Sequence, residues 1–243
     1  MPSRVRAARA RALAPLALAL TVALAAALAG CGGSSGNGIA SKSPAEILAA
    51  SRAAAEGATS VHVVSRASQG RLSLTSDLEL AGDRGRARVS FLGRTREVIR
   101  IGDTLYLKGY SAVYKRLGRS TDLHVPRGAW VKAPANSGKL VSLAALTDLS
   151  SELRLLLGST VPLTKGATTT VNGQHAIELK EKTAKLFTRS LYIATTGKPY
   201  PIEFVRHGTE TGQIAFSGWN EPVSLTAPAN AVELGKLERG GAH

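Results

Sequence analysis

From residue 72 to residue 80 the chain alternates between apolar and polar side chains. Leu72, Leu74, Leu78 and Leu80 fall on one side of an extended backbone, and Ser73, Thr75, Asp77 and Glu79 on the other. A period of two residues belongs to a strand with one buried face and one wet face, and no helix can use it. Gly82-Asp83-Arg84-Gly85 then reads as a turn, and the alternation resumes with Ala87, Val89 and Phe91 inward between Arg86, Arg88 and Ser90. Residues 98–101 and 105–108 form a further pair around Gly102-Asp103, a hairpin signal. A first strand covers residues 61–67. Hairpins of this kind build an antiparallel sheet that faces water on one side.

The pattern returns late in the chain. Asn172-Gly173 sits at the centre of another hairpin, followed by Ile177 and Leu179 alternating with Glu178 and Lys180. Residues 191–195, 202–207 and 213–219 supply three more strands, residues 129–133 another, and the tail with Pro222 and Pro228 is extended. Helices are few. Ser43-Pro44-Ala45-Glu46 is a capping box with proline at the first helical position, and Gly57 stops the helix it starts. Residues 111–117 suggest a short helix. Leu149, Leu153, Leu156 and Leu157 make a helical stripe that Leu155 widens and Gly158 ends. The expected fold is α+β: a curled antiparallel half-barrel of about nine to eleven strands, with helices across its concave side. A sheet that curls without closing leaves a cavity between itself and those helices.

The N-terminus is an address. Arg4, Arg6, Arg9 and Arg11 precede an Ala/Leu stretch from residue 15 to residue 30. At about 1.5 Å per residue it reaches roughly 24 Å, short of the ~30 Å hydrocarbon core, as a signal-peptide core does. Leu28-Ala29-Gly30-Cys31 resembles the lipobox of bacterial lipoproteins, which implies cleavage before Cys31 and a diacylglycerol on its sulfur. Cys31 is also the only cysteine, which excludes a disulfide framework and a cysteine-based zinc site. The chain thus divides into a signal peptide (1–30), a lipidated cysteine with a flexible Gly/Ser linker (31–42) and one domain (43–243). Two acyl chains give stable anchoring where one does not.

Loss of the four signal arginines lowers the formal charge from +14 to +10. Such a surface beside a bilayer favours anionic lipid head groups. Nucleic acid, the rival partner for a basic protein, is set aside by export and by the scarcity of aromatic residues (5%). Motifs for catalysis are missing. The five histidines (His62, His124, His175, His207 and His243) show no metal spacing, and no cofactor is implied. Gly109-Tyr110-Ser111 lacks the closing glycine of a nucleophile elbow, and no phosphate loop is present. A triad from distant residues, such as His62, Asp103 and a serine, stays open. His62 and His207 are expected on the solvent side of their strands.

Several segments resemble the LppX/LprA/LprF/LprG family of actinobacterial lipoproteins. They are the opening helix over residues 45–57, residues 103–108, Gly128-Ala129-Trp130-Val131, Leu191-Tyr192-Ile193-Ala194, Trp219-Asn220-Glu221-Pro222-Val223 and Thr226-Ala227-Pro228. The resemblance implies a LolA/LolB-like half-open barrel, an apolar cavity for acyl chains, and movement of lipids or glycolipids across the cell envelope. It implies no catalytic residue.

Three functions fit these residues. The first is a non-enzymatic carrier, lipid-anchored on the extracytoplasmic face of the cell membrane. Its cavity would be lined by Leu74, Leu78, Ala87, Val89, Phe91, Leu149, Leu153, Leu156 and Leu157. At roughly 25 cal/mol per Å² of apolar surface, burial alone holds a lipid chain. In the second, the same side chains form a dry core and the protein is a structural or partner-binding envelope lipoprotein. The third is a hydrolase with a non-local triad.

Overall fold

In a computed structural model the described residues are 36–109, 125, 128–158, 162–181 and 187–240. The short helix expected at residues 111–117 lies outside them, as do Cys31 and the signal peptide. Residues Gly36–His243 form one compact unit, and the main core lies within it, between Ile39 and Leu234.

Twelve strands make one sheet, one more than the upper end of the expected range. They are β1 (Val61–Gln69), β2 (Leu72–Ala81), β3 (Arg84–Phe91), β4 (Arg94–Ile101), β5 (Thr104–Lys108), β6 (Val131–Pro134), β7 (Leu163–Val171), β8 (Gln174–Glu181), β9 (Phe187–Ala194), β10 (Pro201–Gly208), β11 (Thr211–Ser217) and β12 (Val232–Glu233). Their order is β12-β6-β5-β4-β3-β2-β1-β11-β10-β9-β8-β7. Two antiparallel meanders therefore meet where β1 pairs with β11, and only β12 runs parallel to its neighbour. The sheet is open and curled. The Asn172-Gly173 turn has both residues at positive φ (50° and 79°), the geometry whose twist matches a hairpin.

Helix α1 (Pro44–Glu56) starts as its sequence dictates. The Ser43 side chain accepts from the Glu46 amide, and the Glu46 carboxylate accepts from the Ser43 amide at 2.9 Å. Ile47, Leu48 and Ala55 face the core. The folded unit begins earlier than Ser43, however. Asn37 donates through its side-chain amide to the Ala194 and Gly197 carbonyls, and Ile39 is buried. The linker read as flexible through residue 42 is therefore fixed from Asn37 onward. The contacts responsible lie more than 150 residues away, beyond the reach of a local pattern.

The closing motif is structural. Trp219 stacks on Tyr200 with ring centroids 4.6 Å apart. Asn220, at φ 63°, accepts from the Thr59 amide and donates to the Tyr200 hydroxyl.

The insert between β6 and β7 carries two further helices, α2 (Val141–Ala145) and α3 (Leu149–Leu157). Asp148 caps α3 by accepting from the Ser151 amide at 2.8 Å, and its carboxylate lies 3.7 Å from Arg100 of β4. The Leu149 amide donates to the Gly82 carbonyl in the β2–β3 turn. These contacts dock the insert on one end of the sheet. A last helix, α4 (Leu234–Gly240), follows β12.

Candidate functional site

Residues facing each other across antiparallel strands share a face of the sheet. The register therefore sorts the inner face into transverse rows. Nearest the insert, Val61, Leu80, Gly85, Arg100 and Leu105 lie side by side. The next row holds Phe216, Val63, Leu78, Ala87, Val98 and Leu107, all buried. A third carries Leu191, Phe204, Ile214, Ser65, Ser76, Val89 and Arg96. The fourth reads Arg189, Arg206, Gly212, Ala67, Leu74, Phe91 and Arg94.

Burial falls along this sequence of rows. Of the nine side chains expected to line a cavity, Leu78, Ala87, Leu149, Leu153 and Leu157 belong to the packed core, with Leu156 half-buried against it. Ala87 is fully buried (0% exposed). Val89 and Phe91 are half-buried, and Leu74 is 39% exposed, as is Leu72 at 45%. The structure thus separates the nine into a closed cluster beneath the helices and a second group toward the far end of the same face.

That far end holds a trough of about 250 Å³, lined by Ala67, Leu72, Leu74, Phe91, Arg206 and Gly212 among others. Its cause is local. Gly212 and Ala67 put almost no side chain between Arg206 on one bank and Leu74 and Phe91 on the other. Arg206 pairs with Glu210 at 2.8 Å, and Arg189 with Glu181 at 3.1 Å.

Leu155 does not widen the inner stripe: it is 74% exposed. The position that joins Leu149 and Leu153 on the inside is Glu152, only 5% exposed, and burial raises its carboxyl to about 7. A helix turns by 3.6 residues, so position i+3 shares the face of i and i+4 whatever its polarity. The spacing signal was there, but a glutamate carries no hydrophobic mark.

The outer face is mostly polar, apart from a small buried cluster of Ala176, Ala194 and Ile202. Glu178 accepts from Ser190 at 2.7 Å and from Tyr192 at 3.4 Å, and Gln213 donates to buried Glu203. Burial first, then the Glu178 charge, raises the Tyr192 hydroxyl above its ordinary range. His62 also faces outward, with Nε2 2.9 Å from Asp77 and Nδ1 3.4 Å from the Ser217 hydroxyl. Its carboxylate partner is Asp77 and not Asp103, which lies in the β4–β5 turn. His207 is exposed, and His124 lies outside the described residues. Among the described residues no group of three metal-ligating side chains occurs, and no helix is long and apolar enough to cross a membrane.

No family model matches the sequence, and no curated protein does. Among solved structures the chain is similar to the Mycobacterium tuberculosis lipoprotein LppX: 17% identity, 75% of this chain, 99% of that chain, TM-score 0.48. It is also similar to the Pseudomonas aeruginosa MucA/MucB complex: 14% identity, 80% of this chain, 60% of that chain, TM-score 0.37. A third similarity is to a LolA superfamily protein from Nitrosomonas europaea: 7% identity, 76% of this chain, 96% of that chain, TM-score 0.29.

Proposed function

We propose that this chain is a lipoprotein of the cell envelope, anchored through acylated Cys31, whose folded unit binds an acyl chain of a lipid or glycolipid. Its role would be to carry that ligand across the envelope, by burial and without covalent chemistry. One observation carries the reading: the apolar inner face continues past its helical cover into a trough where Leu72, Leu74 and Phe91 remain open to a ligand. A concave, largely apolar surface with a few polar groups at its edge is the default place for a ligand. The experiment is an organic extraction of the unit from Gly36 onward, purified from an actinobacterium, followed by mass spectrometry. Co-purified lipid, or uptake of a fluorescent fatty acid by the emptied protein, supports the carrier. A lipid-free sample that takes up no probe sinks it in favour of a dry structural module.

A second reading rests on the line Asp77–His62–Ser217 across three adjacent strands. It has the order of a hydrolytic triad, on an exposed outer surface. Labelling of Ser217 by a fluorophosphonate, lost in Ser217→Ala, would establish a hydrolase. An unlabelled protein leaves His62 and Asp77 as a hydrogen-bonded surface pair.

A further inference from the structure

We infer that the trough is selective for a single-chain amphiphile with an anionic head, such as a free long-chain fatty acid. This rests on the lipid-binding reading above and names the ligand class of that same site.

The first ground is size. About 250 Å³ lies just below the range of pockets that enclose a drug-sized molecule, roughly 300–1,000 Å³. It accommodates a length of one acyl chain. The floor is narrow too, because only Gly212 and Ala67 are small in that row, and Leu74 and Phe91 wall it on one side.

The second ground is charge, and it is independent of the first. The apolar stretch of the fourth row ends at Arg94, opposite Phe91, and that of the third row at Arg96, opposite Val89. The two are i and i+2 on β4, so both point inward along one bank. Facing neighbours on adjacent strands stand about 5 Å apart at Cβ, and an arginine side chain spans that easily. Among the described residues no carboxylate pairs with Arg94 or Arg96, whereas Arg206 on the opposite bank is held by Glu210. Arg94 and Arg96 stand just beyond the residues that line the trough, so a chain that lies over Leu74 and Phe91 and runs on across β4 would bring its head to two guanidinium groups. Guanidinium and carboxylate or phosphate oxygens form the stronger, charge-assisted class of hydrogen bond, with a matching planar geometry. A neutral triacyl lipid has nothing to offer these groups. For an uncharged head they are an idle cost of desolvation.

The test uses the unit from Gly36 onward, which carries its own core. The probes are an anthroyloxy-stearic acid and its methyl ester, which share a chain and differ in the head charge. The acid is expected to bind at least about tenfold tighter than the ester, the margin of one charge-assisted contact. In the double variant Arg94→Gln/Arg96→Gln the acid should fall to the affinity of the ester, with the ester unchanged. Ala67→Trp, which fills the trough floor, should weaken both probes alike. Inorganic phosphate at millimolar concentration should leave both probes in place, and release of the acid alone would assign the arginines to a free anion and overturn the lipid-head reading. Equal binding of acid and ester, or a preference that survives the double glutamine variant, overturns the anionic selectivity and leaves the acyl site standing. Binding of neither probe overturns both.

Discussion

Glu152 gives the inner side of α3 a pH dependence that its leucines cannot. Its carboxyl titrates at about 7 in the folded chain because burial disfavours the charge, against 4.5 as the ordinary value. Between those limits the folded chain keeps a proton that the unfolded chain has released. Folding is then favoured by acid: the contribution is complete below about pH 4.5 and is lost as the pH climbs to about 7. The shift corresponds to roughly 3–4 kcal/mol in full, and about half of that is a reasonable expectation once the side chain relaxes toward water. Glu152→Gln is neutral at every pH. It should match the native chain at pH 4.5 and exceed it at pH 8 by about 1–2 kcal/mol. For a domain near this size that is a melting temperature higher by roughly 2–8 °C. Calorimetry at the two pH values checks this, and an equal difference at both would place the glutamate in water.

At the scale of elements, the insert is held by how closely it approaches β3. A Cβ on Gly85 would stand 2.7 Å from the Thr147 carbonyl oxygen and 3.0 Å from a Leu80 methyl. Gly85→Val should therefore lift the α2–α3 joint and cost about 2–3 kcal/mol, read as a fall in melting temperature of several degrees. Gly212→Ala is the control, since its nearest neighbours are at 3.7 Å and beyond. It should melt within about two degrees of the native chain. Ala87→Trp belongs with Gly85, because Ala87 lies in the closed row beneath the helices. It should destabilise by about 1–3 kcal/mol or more. Unchanged melting of Ala87→Trp would mean that this row opens into a cavity after all. Elements of this kind were largely legible in the chain. The capping box at Ser43, the Asn172-Gly173 turn and the alternation from Leu72 to Leu80 are local signals with local causes. The inward turn of Glu152 and outward turn of Leu155 were not legible, because hydrophobicity had to stand in for helical phase.

At the scale of the molecule, no local pattern distinguishes Leu74 from Leu78. Both are leucines on the inner side of one strand. One is exposed and one buried because of what β11 and β10 bring alongside and where the insert stops. Gly212 and Arg206 reach Leu74 from more than 130 residues away, through the β1–β11 pairing. The charge of the molecule, by contrast, is plain from composition, and with the proposed anchor at Cys31 it would set two distinct terms for membrane attachment. A chain cleaved before Cys31 would carry a formal +10 and attract an anionic bilayer at up to roughly 1 kcal/mol per well-placed Lys or Arg. That attraction fades as the Debye length shrinks from about 8 Å at physiological salt to about 3 Å at 1 M. The two acyl chains proposed on Cys31 would hold through apolar burial, which salt does not weaken. The unit from Gly36 onward should therefore float with phosphatidylglycerol-containing vesicles at low salt and come off by 1 M. The full chain processed in its host should stay on at both. Cys31→Ser should carry no radioactive fatty acid. Should Cys31→Ser still be labelled, or should 1 M salt strip the processed chain from the vesicles, the anchor does not lie at Cys31. Should the unit from Gly36 stay bound at 1 M salt, its hold on the bilayer is apolar, and the exposed leucines of the trough rim would be the surface responsible.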